Sequence, residues 1–217
     1  MQKTVEEIVQ SVRIVLDENS VNIAFIESDT DTLDLNDIIK QHISAAVRSI
    51  VLDAPSTLLD GGTDLSAQTL YWENEVGIGM GYIILPDDFL RLVIFQMSDW
   101  KRPVTKEIKD TDAQYFMQKS KYLGIRGGIS KPVCALTTSK SSKIMEFYSC
   151  IGGETVEIEK ARYIPIPDIT AETIEIPTRL VDACILTIAG LTCVSIKEAN
   201  QATQFFELSK SLINGKS

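Results

Sequence analysis

Between residues 180 and 196 the chain reads LVDACILTIAGLTCVSI, seventeen positions with one charge, Asp182. A helix of this composition has no face to give to water, so other elements must enclose it. A membrane could do so, but the run is shorter than the ~20 residues a span needs and holds Thr187, Thr192 and Ser195 besides Asp182. No membrane partner is expected, and the fold must supply helices that surround this one.

The sequence offers them at both ends. Thr4 and Glu7 form a capping box, and Val5, Ile8, Val9, Val12 and Leu16 follow at helical spacing, predicting a helix to about residue 17. After an apolar piece over 21–26 and an acidic stretch over 28–37, read as a solvated loop, Leu35, Ile38, Ile39, Ile43, Ala46, Val47 and Ile50 share one face of a second helix. Pro55 and Asp60-Gly61-Gly62 stop it. Beyond the apolar run, residues 197–213 carry Ala199, Ala202, Phe205, Phe206, Leu208 and Leu212 as the stripe of a partner helix.

From residue 70 the period shortens. Apolar segments at 70–73, 78–85, 89–97, 100–105, 133–138, 144–150 and 155–164 alternate with Gly, Pro, Asn, Asp and Ser, and predict strands. One helix, 112–123, interrupts them, and Ser139 to Ser142 reads as a polar hairpin loop. The predicted fold is α+β: a helical bundle of N- and C-terminal helices (1–64 and 166–217) with a central β-rich insertion (65–165). Within the insertion, LPDDFLRLVIFQMSDWKRPV (85–104) reads as strand, turn at Ser98-Asp99, and second strand, with Pro103 keeping the latter at an edge.

That segment also carries a resemblance. Leu85-Pro86-Asp87-Asp88-Phe89-Leu90-Arg91-Leu92 with Trp100-Lys101-Arg102-Pro103-Val104, then Gly124-Ile125-Arg126-Gly127-Gly128 leading to Lys131-Pro132-Val133, then Met145-Glu146-Phe147-Tyr148, resembles in order the signature of tailed-bacteriophage head-to-tail connector (adaptor or ring) proteins, ring proteins of crAss-like phages above all. The resemblance covers the middle and C-terminal third of the chain. It implies a structural virion protein, made in the host cytoplasm, whose copies form a ring, of twelve, beneath the portal. The implied partners are further copies, the portal protein, and tail or further ring proteins, with DNA passing through the lumen unbound.

Other patterns add no chemistry. A net charge of −9 and a pI near 4.7 argue against gripping nucleic acid and would suit a lumen through which DNA slides. Four cysteines without CxxC spacing and a single histidine predict no zinc site and free buried thiols. Asp29, Asp31, Asp34 and Asp37 mimic a calcium loop, but Leu33 and Asp34 stand where an oxygen ligand and the turn glycine are needed, and Lys40 where the closing Glu belongs. Gly77, Gly79 and Gly81 lack the helix that phosphate cradling requires, and His42 lies on the apolar side of its helix without an evident nucleophile or orienting acid. No catalytic, cofactor or metal residue is therefore assigned. The candidate interface residues are Trp100, Arg102, Arg126, Phe205, Phe206 and Leu212. The competing readings are a small cytosolic enzyme whose site leaves no motif, and an intracellular protein-interaction module.

Overall fold

The computed structural model describes residues 1–16, 29–73, 79–139 and 142–215, with the side chains of 29–34 and 123 outside the description. The elements in chain order are β1 (Gln2–Lys3), α1 (Val5–Val15), α2 (Asp29–Asp53), β2 (Thr63–Asp64), β3 (Tyr71–Glu73), β4 (Met80–Ile84), β5 (Phe89–Met97), β6 (Ile108–Lys109), α3 (Ala113–Gln118), α4 (Leu123–Arg126), β7 (Cys134–Ser139), β8 (Ser142–Phe147), β9 (Ile158–Pro165), β10 (Ile174–Glu175), α5 (Val181–Ser195) and α6 (Ala199–Asn214). The protein is α+β and divides into two compact units, Met1–Gly61 with Ile166–Ser217, and Gly62–Pro165.

In the helical unit α5 is the centre. The stretch Thr178–Ser195 is long and apolar enough to cross a membrane, and here α1, α2 and α6 all lie against it. Val181, Ala183, Cys184, Thr187, Ile188, Ala189, Gly190, Thr192 and Cys193 are buried, leaving Val194 and Ile196 exposed at its C-terminal end. The chain thus covers most of α5 itself, without a neighbouring subunit. Gly190 permits this: a Cβ there would stand 2.7 Å from the Phe206 ring, so only glycine lets α6 come so close. Thr4 and Glu7 make the capping box of α1 with both reciprocal bonds in place. α2 begins at Asp29, so most of the acidic stretch read as a loop is helix, its carboxylates at the end where the helix dipole favours negative charge. The apolar piece at 21–26 lies outside the described residues.

The β-unit contains two sheets that share one core. β2, β9 and β5 form one; β3, β4, β8, β7 and β6 form the other, antiparallel except for the β6–β7 pair. Phe95, Leu92, Met97, Ala161 and Tyr163 meet Ile83, Cys134, Met145 and Phe147, and the Phe95 ring lies 6.2 Å from that of Phe147. β5 does not alternate: Phe89, Leu92, Phe95 and Met97 are buried, because register shifts at Phe89/Arg91, Leu92/Ile94 and Gln96/Met97 turn the strand between them. The second predicted strand is absent. Residues 100–105 make a single bridge, Val104 with Phe95, because Pro103 has no N–H to give, the Trp100 ring turns into the core, and Lys101 N–H bonds Ile129 O instead. The predicted helix over 112–123 is two short ones, α3 and α4, with Gly124 inside the second. Ser139 pairs with Ser142 across the β7–β8 turn, whose two central residues lie outside the described set.

Candidate functional site

Three polar constellations and two apolar surfaces are the candidates. The first follows β5. Ser98 N–H donates to Glu157 O (2.9 Å), and Glu157 N–H returns a bond to Ser98 Oγ (3.2 Å). Asp99 Oδ2 accepts from Ile151 N–H (2.6 Å) and Gly152 N–H (3.4 Å). Asp99 Oδ1 and the Trp100 indole N–H are buried without a hydrogen-bond partner, and both influence the buried Cys150 thiol. Burial, reinforced by the Asp99 charge, pushes this thiol's pKa well up, so it stays protonated and a poor nucleophile. Ser149 takes φ +66° here, and Cys150 N–H donates to the carbonyl of Gly79 at 2.9 Å. The constellation clamps the 149–157 loop onto the end of β5.

The second is Glu146 on β8, a carboxylate only 6% exposed. It accepts a bond from the Tyr148 hydroxyl and a long one, 3.5 Å, from the Tyr115 hydroxyl on α3. Two phenolic donors replace part of the hydration that burial removes. Burial first, then the Glu146 charge, pushes Tyr115 up to about 12; burial and the bond to Glu146 push Tyr148 up as well. Both phenols therefore stay protonated near neutral pH, as donors to the carboxylate and not as bases.

The third is a histidine–serine pair in the helical unit that sequence reading missed, because its members lie 153 positions apart. His42 Nε2 is 2.8 Å from Ser195 Oγ, and Ser195 Oγ donates to Leu191 O at 3.2 Å. A hydroxyl has one hydrogen, so Ser195 gives it either to Leu191 O or to the ring, and Nε2 donates when it goes to Leu191. Either way the pair ties α2 to α5. Burial lowers the His42 pKa. A group protonated more readily unfolded than folded costs stability as pH falls below its unfolded pKa, near 6.5, and the loss is complete below the folded value. The expected result is a melting temperature for the wild type that drops more between pH 7 and pH 5 than that of His42→Gln; equal drops would show that burial does not hold the ring's pKa down.

The predicted interface residues separate. Trp100, 3% exposed, is a core residue whose ring meets Phe95 edge-on, so it is not an interface anchor. Arg126, 6% exposed, is also withdrawn, with Nη1 donating to Ser120 O at 3.3 Å. Arg102 is exposed. Phe206 is half-buried against Gly190 and belongs to the α5–α6 contact. Phe205 is half-buried and Leu212 is 43% exposed. α6 buries Ala202, Ser209 and Ile213, with Ser209 Oγ bonded to Thr187 Oγ1 and Ala183 O, so Leu208 and Leu212 leave the predicted inner stripe. With Phe205 they form a second stripe at i, i+3, i+7.

Sequence reading missed the other surface entirely. Phe116 (72% exposed) and Met117 on α3, Tyr122 just before α4 and Ile125 on α4 are exposed, four large apolar side chains within ten residues. The run of non-periodic apolar residues in 116–125 was the available signal, hidden by reading 112–123 as one helix.

No protein-family model matches this chain, and no curated protein matches it.

Proposed function

We propose that the chain is a structural virion protein, a head-to-tail connector whose copies form a ring beneath the portal of a tailed bacteriophage, with no catalytic role. The supporting observation is where the resemblance-bearing residues go. Leu85, Phe89, Leu92, Trp100, Val104, Met145 and Phe147 are buried in one core, and Leu85 N–H donates to Lys143 O while Lys101 N–H donates to Ile129 O, joining the separate motif segments. A signature that builds a rigid core and leaves its outer helices apolar suits a protein whose work is assembly.

Charge supports the same reading. Residues 62–165 balance 13 basic against 13 acidic side chains, so the whole net charge of −9 belongs to the helical unit. A ring lined by that unit would repel the DNA backbone and let it slide. The test is mass photometry and negative-stain imaging of the purified chain, alone and with its portal protein. Rings, free or seated on the portal, are the expected result. A chain that stays monomeric and ignores the portal overturns the reading, and a thermal shift with a nucleotide or metal in its place would favour an enzyme.

A further inference from the structure

We infer that the α3–α4 surface is one half of a head-to-tail contact whose other half is the end of a second copy's helical unit where α1 and α5 begin, a proposal that rests on the ring reading and deepens it. The first half joins apolar area to positive charge. Phe116 and Met117 on α3, Tyr122 just before α4 and Ile125 on α4 are exposed, and exposed Lys119 and Lys121 stand between them in the chain. Among the described residues neither lysine has an ion-pair partner; Lys121 Nζ lies 5.3 Å from the Tyr122 ring centroid. Residues 113–131 hold four basic side chains and no acidic one, and exposed Lys101 is tied to this segment by its N–H bond to Ile129 O. Asp110 and Asp112 precede α3, yet across 100–131 basic side chains still outnumber acidic ones eight to three, in a chain of net charge −9.

The second half has the opposite charge. β1 pairs with β10 just before α1 begins, the Met1 amine donates to Ile176 O (2.8 Å), Thr178 N–H to Asp60 Oδ1 (2.6 Å) and Arg179 Nη1 to Thr57 O (3.3 Å). These bonds gather the starts of α1 and α5 with the chain just past α2. The residues of this end, 1–7, 52–61 and 168–182, hold eight acidic and two basic side chains, to which the Met1 amine adds one positive charge. Seven of the eight carboxylates are exposed, while Lys3 is half-buried. Glu6, Glu7 and Asp182 belong to the first turns of α1 and α5, where the helix dipole favours negative charge. Leu52 (52%), Met1 (50%) and Ile169 (43%) are large apolar side chains exposed at the same end. Each half therefore sets exposed apolar groups among charges of one sign, and the two signs are opposite. Apolar contact supplies affinity, and opposed charge selects the partner and speeds encounter. Because the halves are different surfaces of one chain, the contact is heterologous, and repeating it closes a ring if the rotation permits.

The α3–α4 surface alone would also suit an anionic membrane, but a net charge of −9 opposes adsorption there, and a membrane leaves the acidic end without a role. The experiment follows self-association by analytical ultracentrifugation at low and high salt, with folding checked by circular dichroism. Lys119→Glu/Lys121→Glu should weaken association roughly tenfold or more at low salt, and Asp53→Lys/Glu172→Lys should do the same. All four side chains are exposed, so neither pair should unfold the chain. The deciding measurement is an equimolar mixture of the two folded variants. Each alone sets like charges against like, whereas alternating copies meet through opposite charges at every contact, so the mixture should regain association. A mixture that associates no better than either variant overturns the contact. Association of the wild type that neither pair weakens also overturns it and leaves the ring reading standing. A wild type that is monomeric throughout overturns both. Binding of the wild type to phosphatidylserine vesicles that Lys119→Glu/Lys121→Glu abolishes, with assembly untouched, assigns the surface to a membrane and overturns the contact.

Discussion

Gly79→Val is expected to be the most destabilising single substitution proposed, lowering the urea midpoint of the β-unit far more than Gly153→Ala does. Gly79 has φ +58°, and a Cβ built on it would lie 1.7 Å from the carbonyl oxygen of Cys150, a backbone atom that cannot rotate away. The left-handed conformation alone costs a residue with a Cβ about 1–2 kcal/mol. Relieving the clash must separate the two backbones and break the Cys150 N–H to Gly79 O bond, which holds the loop that Asp99 clamps through the Ile151 and Gly152 N–H groups. The total is roughly 4 kcal/mol or more, a large part of a typical domain's stability. Gly153→Ala is the control: it also has positive φ (+55°) but nothing within 4 Å of its Cβ, so it should lose only about 1 kcal/mol. Urea denaturation followed by tryptophan fluorescence reads both variants, since Trp72 and Trp100 lie in the β-unit. Similar midpoints for the two would show that the Gly79–Cys150 approach is not as close as described.

Elements with one strong local signal were legible in the sequence. The Thr4–Glu7 box, the enclosed helix over 180–196 and the strand at 89–97 all stand within a few residues of where spacing and composition put them. What was not legible depends on distant partners. The strand expected at 100–105 has suitable residues but loses its N–H groups to Pro103 and to Ile129, a partner 28 positions beyond Lys101. The α6 stripe was misread because Ser209, polar in any scale, is buried by two hydrogen bonds, while Leu208 and Leu212 face outward. The candidate site divides in the same way. Tryptophan and arginine were chosen as interface anchors by type, and Trp100 and Arg126 proved to be buried, whereas the exposed Phe116 and Tyr122 sit in a segment that looked like an ordinary helix. Burial of a polar group and exposure of an apolar one are both decided by what arrives from elsewhere in the chain, and no window of local sequence contains that information.

Leu92→Ala tests the most consequential departure from a local rule. In a strand without bulges, side chains alternate, so a core face that takes Phe89, Phe95 and Met97 would include Arg91 and Val93 and turn Leu92 outward. The register shifts in β5 move Leu92 to the core side, where it is fully buried, and leave Val93 and Ile94 half-buried. Truncating Leu92 should therefore open a cavity between the sheets and cost about 2–5 kcal/mol, with the exact loss set by how far Phe95 and Tyr163 relax into it. Val93→Ala, at a half-buried position, should cost clearly less, on the order of 1 kcal/mol. The order of the two losses in chemical denaturation carries the argument. Leu92→Ala within about 0.5 kcal/mol of wild type, with Val93→Ala the more damaging, would put Leu92 on the outer face and restore the unbroken alternation. The opposite order fixes the bulges, and with them the placement of Trp100 under the 149–157 loop, because the turn that delivers Trp100 begins where the last register shift ends, at Met97.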